Sequence, residues 1–462
     1  MYRKKRHIHF VGIGGIGMSG IAEVLLNLGH TITGSDLAQG NQTRRLKELG
    51  AQIHFGHKAS QVMGADVVVV SSAINEDNPE LTEAKRLRVP VIPRAEMLSE
   101  LMRLKTGIAV AGSHGKTSTC SLIGTILTLG GMDPTLVIGG KINNLGLNAR
   151  LGQGEYLVAE ADESDGSFLL LSPTIAVVTN IDREHMNYYR DLGHLKESFL
   201  SFINKVPFYG LSILCLDDPE VQSLIPKVKK RYVTYGFSAQ AMVTAKNLEK
   251  EAWGYSFDLY LLGNKVTRLT LNIPGRHNVL NTLAAAAVSL EMGISTSDLE
   301  RGVYKLTGVG RRFEKKGEAQ GIVVLDDYGH HPTEIKATLS ALAETYPEQR
   351  RLVIFQPHRH TRTKDLFREF VSSFNQADKL WVTKIYSAGE TPSEGIDAIA
   401  LTEAIREHGH SGAYYGGEVS EVPYKVIEAI EPGDVILTLG AGNVWEASEE
   451  ILRLWQEKNN AL

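Results

Sequence analysis

The chain has 462 residues, 43% hydrophobic and 22% charged, with a formal net charge of -4. That length suits about three domains at roughly 100 to 200 residues each, and the near-neutral balance gives no electrostatic footprint for nucleic acid. No apolar run is long enough to span a bilayer, and two cysteines, Cys120 and Cys215, cannot form a disulfide framework. The expectation is a folded protein of the reducing cytoplasm, monomer or homodimer, with no membrane partner and both thiols buried as apolar side chains. The basic start, Lys4-Lys5-Arg6, precedes an apolar stretch interrupted by Gly12, Gly14, Gly15 and Gly17, so it reads as a solvated terminus rather than a signal peptide.

Residues 7 to 36 read as strand, glycine turn, helix and second strand ending at Asp36. Gly12-Ile-Gly14-Gly15-Ile-Gly17 satisfies G-x-G-x-x-G with an acid about twenty residues on, the dinucleotide fingerprint in its structural context. The physics asks only for a pyrophosphate on a helix N-terminus and a carboxylate near a sugar, which a nucleoside diphosphate sugar satisfies as well as NAD. Further βα units follow, with Val67 to Val70 as a strand covered on both faces. Its carboxyl end places Ser71 and Ser72, with Arg94 after the next strand, as candidate ligand contacts; helix capping explains the serines equally well.

From Thr106 the pattern repeats with a different turn. Ile108 to Ala111 is a buried strand, Gly112-Ser113-His114-Gly115-Lys116-Thr117 a glycine loop, and Ser118 onward a helix. Such a loop aims backbone N–H groups at phosphate oxygens. Lys116 would reach the β- and γ-phosphates, and Thr117 a magnesium ion. The loop is shorter than the usual GxxxxGK[ST], because the first glycine is Gly112 where Val110 holds the expected position. An apolar strand then ends in Glu160-Ala-Asp162-Glu163-Ser-Asp165, and another, Thr174 to Thr179, ends in Asn180-Ile-Asp182-Arg183-Glu184-His185. If the strands are parallel, both acidic tips lie beside the phosphate loop, and a carboxylate of the first tip with the imidazole of His185 become credible magnesium ligands. Short alternating runs from Arg231 to Ile273 read as a small antiparallel sheet, and an alanine-rich helix follows in which Asn278 and Asn281 share one face.

A third α/β segment opens near residue 316, with Asp326-Asp327-Tyr328-Gly329-His330-His331 at one strand end and His358-Arg359-His360-Thr-Arg362 at another. Arg359 and Arg362 form a fork suited to carboxylate or phosphate. The histidines lack zinc-site spacing and thiols.

Taken together, GIGGIGMSG, GSHGKT, AEADESD, NIDREH, GRHNVLN, DDYGHHPTE and FQPHRHTRT resemble, in order and over nearly the whole chain, the bacterial Mur ligases, most closely their alanine-adding branch. The resemblance implies an α/β protein of three domains. These are a Rossmann-like UDP-sugar domain (1-105), a central P-loop ATPase domain with a small antiparallel sheet (106-315) and a Rossmann-like amino-acid domain (316-462). It implies an ATP- and Mg2+-dependent ligase joining L-alanine to the lactyl carboxylate of UDP-N-acetylmuramate, in the peptidoglycan synthesis on which cell shape and division depend. Gly14, Gly15, Ile16, Gly17, Met18, Ser19, Asp36, Ser71, Ser72 and Arg94 would then bind the sugar nucleotide. Gly112 to Ser118, Asn278, Asn281, Arg312 and Asp327 would bind ATP, and Thr117, Glu160 and His185 the metal. Tyr328, His330, His358, Arg359 and Arg362 would line the place where sugar carboxylate and alanine meet, with Lys116, His185, His330, Arg359 and Arg362 as the catalytic set. Several family members carry a carbamylated lysine after the metal histidine; Lys196 is read here as helix surface. Two other readings stand beside this one: a ligase adding a preformed peptide to the same sugar, and an NAD(P)-dependent oxidoreductase, which leaves GSHGKT without a task.

Overall fold

The computed structural model describes residues 5–71, 73–142, 147–392 and 395–460. The expected contact Ser72 lies outside them. The first sheet has five parallel strands: β1 (His7–Val11), β2 (Thr31–Asp36), β3 (Gln52–Phe55), β4 (Val67–Val70) and β5 (Val91–Pro93). Their spatial order is β3-β2-β1-β4-β5. The order reverses between β1 and β4, and that switch point opens a crevice at the strands' carboxyl ends. The strands are nearly continuous apolar runs because both faces are covered. Ile8 and Phe10 join one core cluster, while Val11 and Val68 join another with Val62, Leu81 and Ala84.

The second sheet has ten strands. They are β6 (Thr106–Ala111), β7 (Thr135–Ile142), β8 (Leu147–Arg150), β9 (Tyr156–Glu160), β10 (Ile175–Val178), β11 (Leu211–Cys215), β12 (Tyr232–Gly236), β13 (Val243–Glu251), β14 (Gly254–Leu261) and β15 (Asn264–Leu271). The order is β15-β14-β13-β12-β11-β10-β6-β9-β7-β8. Strands β9, β6, β10 and β11 run parallel, while β7 and β8 are antiparallel. The short strands expected between Arg231 and Ile273 form the edge of this mixed sheet. Of these, β12 pairs in parallel with both neighbours, and β14 and β15 are joined by Leu262-Gly263, both at positive φ, as a type I′ hairpin requires. Cys120 and Cys215 are free and buried.

The third sheet comprises β16 (Glu314–Ala319), β17 (Ile322–Asp327), β18 (Arg351–Phe355), β19 (Lys379–Thr383), β20 (Ala413–Gly417) and β21 (Val435–Leu439), ordered β16-β17-β21-β18-β19-β20. All pairs are parallel except the edge pair β16/β17. The chain divides into two compact units, residues 1–249, 256–271 and 279–307 in one and 250–255, 272–278 and 308–462 in the other. Among the described residues no helix is long and apolar enough to cross a membrane.

Candidate active site

Strand register assembles the first unit's site. Val110 of β6 pairs with Glu160 of β9, and Ala111 with Val178 of β10, so the phosphate loop and both acidic tips leave one sheet edge side by side. The loop then runs into the helix Lys116–Leu129, whose first amides have no intrahelical acceptor. Gly115 sits at φ 81, and a Cβ there would lie 2.6 Å from Asn281 Oδ1. The second tip holds the loop in shape: Asn180 Oδ1 accepts from the His114 amide at 2.8 Å, and its Nδ2 donates to the His114 carbonyl at 3.0 Å. The Asp182 amide donates to Ser113 Oγ at 2.9 Å, and His114 Nε2 lies 3.0 Å from Asp182 Oδ2. Ser113 and His114 are thus engaged by the neighbouring strand tip, and the helix-opening amides of Lys116, Thr117 and Ser118 are the donors aimed outward.

Lys116 folds back over its own loop. Its Nζ donates to Glu163 Oε2 at 2.8 Å, to Oε1 at 3.0 Å and to the Gly112 carbonyl at 2.5 Å. Burial alone would lower this ammonium's pKa, but the Glu163, Asp162 and Glu184 carboxylates hold it above the ordinary lysine value. The Glu163 side chain is 1% exposed, and burial lifts its carboxyl against the pull of Lys116. Asp162 is held at about 2: burial would raise it, and Lys116 and Arg94 prevail.

Ligand atoms of Glu163, Glu184 and His185 lie within 4.8 Å of one another. Two carboxylates and an imidazole beside a phosphate loop fit a hard divalent cation such as Mg2+. His185 is therefore where the sequence suggested, and Glu163 and Glu184 stand beside it. Glu160, expected as a metal ligand, accepts from the Gly139 amide at 2.8 Å and lines a different cleft. The acids had been visible as a cluster; which of them turned toward His185 was a matter of backbone direction beyond the strand end, where two-residue alternation no longer applies. Lys196, on the helix Leu192–Ile203, pairs at 2.5 Å with Glu220 of the helix Pro219–Leu224.

That cleft, about 280 Å³, lies at the first sheet's switch point, with Gly15, Gly17, Met18, Ser71 and Arg94 on one side and Val137, Gly139, Glu160 and Asp162 on the other. The glycine turn is locked by Asp36, whose Oδ2 accepts the Gly14 amide at 2.7 Å while Oδ1 accepts that of Leu37 at 2.8 Å. Asp36 thus shapes the turn. A Cβ at Gly17 would sit 2.5 Å from Arg94 Nη1, so the bare backbone there lets the guanidinium lie close over the helix start. Ile16 opens the helix Ile16–Asn27, and Ser19 Oγ bonds back to its carbonyl at 3.0 Å. Ser71 Oγ accepts from the Ala73 amide at 3.4 Å, so it both closes a turn and faces the cleft.

The two asparagines differ in role: Asn281 Oδ1 accepts from Thr119 Oγ1 at 3.2 Å, and Asn278 Nδ2 donates to the Pro274 carbonyl at 2.7 Å. In the second unit, Asp327 ends β17 and accepts the amides of Phe313 and Gly329, each at 2.7 Å. Its carboxyl is nevertheless raised to about 6 by burial, opposed by Arg312. His277 is lowered to about 4 by burial and the Arg312 charge. Arg312 lies over the Tyr328 ring and 3.5 Å from Glu334. His330 Nδ1 lies 3.1 Å from the Tyr328 carbonyl, an acceptor only, so Nδ1 carries the proton and the basic lone pair is on Nε2. The His330 and His358 rings are 5.6 Å apart, and His358 stacks on Tyr386, a residue the sequence did not single out. Arg362 Nη1 donates to the His358 carbonyl at 3.2 Å, and Arg359 pairs with Glu390 at 3.7 Å. The expected carboxylate fork is thus two separate cations, since Arg359 at φ 70 stands just outside the helix His360–Asp365.

A phosphate loop, a glycine-turn cleft and a polar third-domain strand edge define an ATP-using ligase architecture, and the chain belongs to the Mur ligase family. Three family models cover it in order: Mur ligase family, catalytic domain, over residues 7–106; Mur ligase middle domain over 110–289; and Mur ligase, glutamate ligase domain, over 311–442. Among relatives, the UDP-N-acetylmuramate–L-alanine ligase of Geobacter sulfurreducens is 54% identical over 462 residues, 100% of either chain. That of Geobacter sp. (strain M21) is 56% identical over 452 residues, 98% of each. The crystal structure of a UDP-N-acetylmuramate-alanine ligase from Thermotoga maritima superposes with a TM-score of 0.82 at 28% identity, covering 98% of this chain and 100% of that one.

Proposed function

We propose that this chain joins L-alanine to the lactyl carboxylate of UDP-N-acetylmuramate at the expense of ATP, in the cytoplasmic synthesis of peptidoglycan precursor. The observation that carries the reading is that one strand tip, Glu160 to Glu163, serves two places: Glu160 and Asp162 line the glycine-turn cleft while Glu163 meets the phosphate-loop lysine. A sugar nucleotide and a triphosphate are thereby brought to opposite sides of one turn. We take domain boundaries near residues 105 and 315.

A carboxylate acylates poorly because oxide is a hopeless leaving group, so transfer of the γ-phosphoryl must first make an acyl phosphate. Carboxylate and triphosphate repel each other, and Lys116 with the helix-opening amides counters that charge and fixes the line of transfer. Mg2+, when bound, supplies further charge neutralisation at the phosphates. Thr117 and His185, with Glu160 expected from the sequence and Glu163 and Glu184 grouped around His185, are the residues that would hold it. Met18, Ser71 and Arg94 orient the sugar nucleotide; Arg359, Arg362, His358 and Tyr328 receive the carboxylates. His330, through Nε2, takes the proton from the alanine amine as it attacks. Products are the amide, ADP and phosphate.

The test follows ADP release from UDP-N-acetylmuramate, ATP, Mg2+ and L-alanine, with a preformed peptide in place of alanine as the second arm. Stimulation by the sugar nucleotide and alanine together is expected. A reaction with the peptide alone would move the chain to the neighbouring branch, and hydride exchange with NADPH would remove it from ligases altogether.

A further inference from the structure

Two neighbouring loops of the third sheet hold backbone that is uncommon for residues with side chains. Arg359, after β18, sits at φ 70, and Ala388, after β19, at φ 48. Strain of this kind persists only where surrounding contacts over-determine it, and it clusters at functional sites. Here the two loops are stitched together. The Arg359 amide donates to the Tyr386 carbonyl and the Tyr386 amide to the Pro357 carbonyl, each at 2.8 Å. Ala388 and Gly389, both at positive φ, form a tight turn closed by the Glu390 amide on the Ser387 carbonyl at 2.9 Å. That turn brings Glu390 back to Thr361, whose amide donates to Oε2 at 3.0 Å and whose hydroxyl donates to Oε1 at 2.8 Å.

The stitching fixes two side chains. Tyr386 stacks on the His358 ring with 9° between the planes, and it packs so close to Gly442 that a Cβ there would lie 2.8 Å from Tyr386 Cγ. On its Nδ1 side His358 meets Arg362 Nη1 at 3.2 Å. A guanidinium only donates, so Nδ1 accepts and Nε2 of the neutral ring carries the proton. Glu390 Oε1 lies 3.7 Å from Arg359 Nη1, an ion-pair distance beyond hydrogen-bond length, which steers the guanidinium while leaving its donors for another anion. Burial would raise the Glu390 carboxyl, but the bonds from Thr361 and the Arg359 charge hold it below its ordinary 4.5. An N–H donor and a cation carried on consecutive residues suit a carboxylate. The glycine-turn cleft and the phosphate loop both belong to the first compact unit, so in the second the amino acid is the substrate left to bind.

We propose that Tyr386 and Glu390 are positioning residues for that amino acid. Tyr386 holds His358 as a donor, Glu390 holds Arg359 as a cation, and this pair takes the α-carboxylate. The inference rests on the ligase reading above.

The experiment follows steady-state ADP release by the full chain, with L-alanine, UDP-N-acetylmuramate and ATP varied in turn. It compares the wild type with Tyr386→Leu, Tyr386→Phe, Glu390→Ala and Glu390→Gln. Tyr386→Leu and Glu390→Ala should each raise KM for L-alanine by about 10-fold or more, the worth of one hydrogen bond to a charged group, with kcat and the other two KM values within about twofold. Tyr386→Phe keeps the stacked ring and should keep the wild-type KM for alanine. Glu390→Gln keeps an acceptor for Thr361 but not the charge, and should fall between the wild type and Glu390→Ala. A general structural defect would move all three KM values together. Unchanged alanine KM in Tyr386→Leu or in Glu390→Ala overturns the inference, and so does an equal rise for all three substrates. Tyr386→Phe behaving like Tyr386→Leu overturns it as well, since the stack would then not be what matters. A rise confined to UDP-N-acetylmuramate overturns it by giving the pair to the lactyl carboxylate. If Tyr386→Leu does not fold, Glu390→Ala, next to an exposed turn, decides the matter. A wild type whose ADP release ignores L-alanine refutes the ligase reading itself.

Discussion

Arg94 Nη2 lies 3.1 Å from Asp162 Oδ2, tying the helix that follows the first sheet to the acidic tip of β9 in the second. Arg94 also passes over Gly17 at the start of the glycine-turn helix. One guanidinium thus touches both walls of the cleft and supplies a planar donor fork for a diphosphate or carboxylate. Arg94→Ala should raise KM for the sugar nucleotide by roughly 10- to 100-fold, the loss of one charge-assisted hydrogen bond, while KM for ATP changes little. Steady-state kinetics with each substrate varied in turn check this, and equal effects on both would place Arg94 in a general structural role.

Lys116→Ala should lower turnover by at least about 10³-fold if, as proposed, Lys116 is the cation that counters the charge of the transferring phosphoryl group. The same change leaves Glu163 buried without its partner, which costs about 3 to 5 kcal/mol. The double variant Lys116→Ala/Glu163→Gln should therefore melt at a higher temperature than Lys116→Ala while remaining inactive. Paired thermal melts and ADP assays separate the two contributions. Activity of Lys116→Ala above about a thousandth of the wild type contradicts the phosphate-loop assignment.

How far the sequence carried these conclusions depends on how local each signal was. The strand, glycine loop and helix from Thr106 to Leu129 are adjacent in the chain, so propensity and spacing located them directly, and the same is true of Asp36 at the end of β2. Strand β16, Glu314-Lys-Lys-Gly-Glu-Ala, went unread because an edge strand exposed on one side need not be apolar. Glu163 was one of four acids within six residues and gave no sign of its partner, since its bond to Lys116 spans 47 residues. Tyr386 likewise stacks on His358 across a strand crossover, a pairing that no periodicity encodes.

Adjacent arginines in the third domain have different work. Arg311 Nε donates to Asp326 at 2.8 Å, and its other nitrogens donate to the Gly440 and Gly442 carbonyls at 2.6 and 3.0 Å. Asp326 is fully buried. Arg311→Ala should cost about 3 to 5 kcal/mol of stability by leaving that carboxylate unpaired. Arg312, lying on the Tyr328 ring beside Asp327, should lower the melting temperature little when replaced by alanine but raise KM for ATP. Melting curves and ATP kinetics on the two single variants decide it, and a reversed pattern would exchange their roles.

The first domain contains a polar knot that the proposed chemistry does not use. Glu80 and His9 are fully buried, and the Glu80 carboxylate accepts from His9 Nε2 at 2.7 Å, Ser35 Oγ at 2.8 Å and His57 Nδ1 at 3.0 Å. Burial would raise the pKa of Glu80, but the hydrogen bonds from His9, Ser35 and His57, with the His9 charge, hold it below its ordinary 4.5. A carboxyl depressed by folding contributes stability that is complete above its unfolded value and is lost as pH falls through the lower folded value. Thermal melts followed by circular dichroism should therefore show the wild type losing stability as pH falls from about 5 toward 3, within the range where depressed carboxylates protonate. Glu80→Gln removes the titrating group, so it should be less stable at neutral pH by about 2 to 4 kcal/mol, with a shallower acid slope. Parallel slopes for the two proteins would assign the acid loss to other carboxylates. A normal neutral-pH melting temperature in Glu80→Gln would show that an amide satisfies the two histidines and Ser35 as well as the carboxylate does.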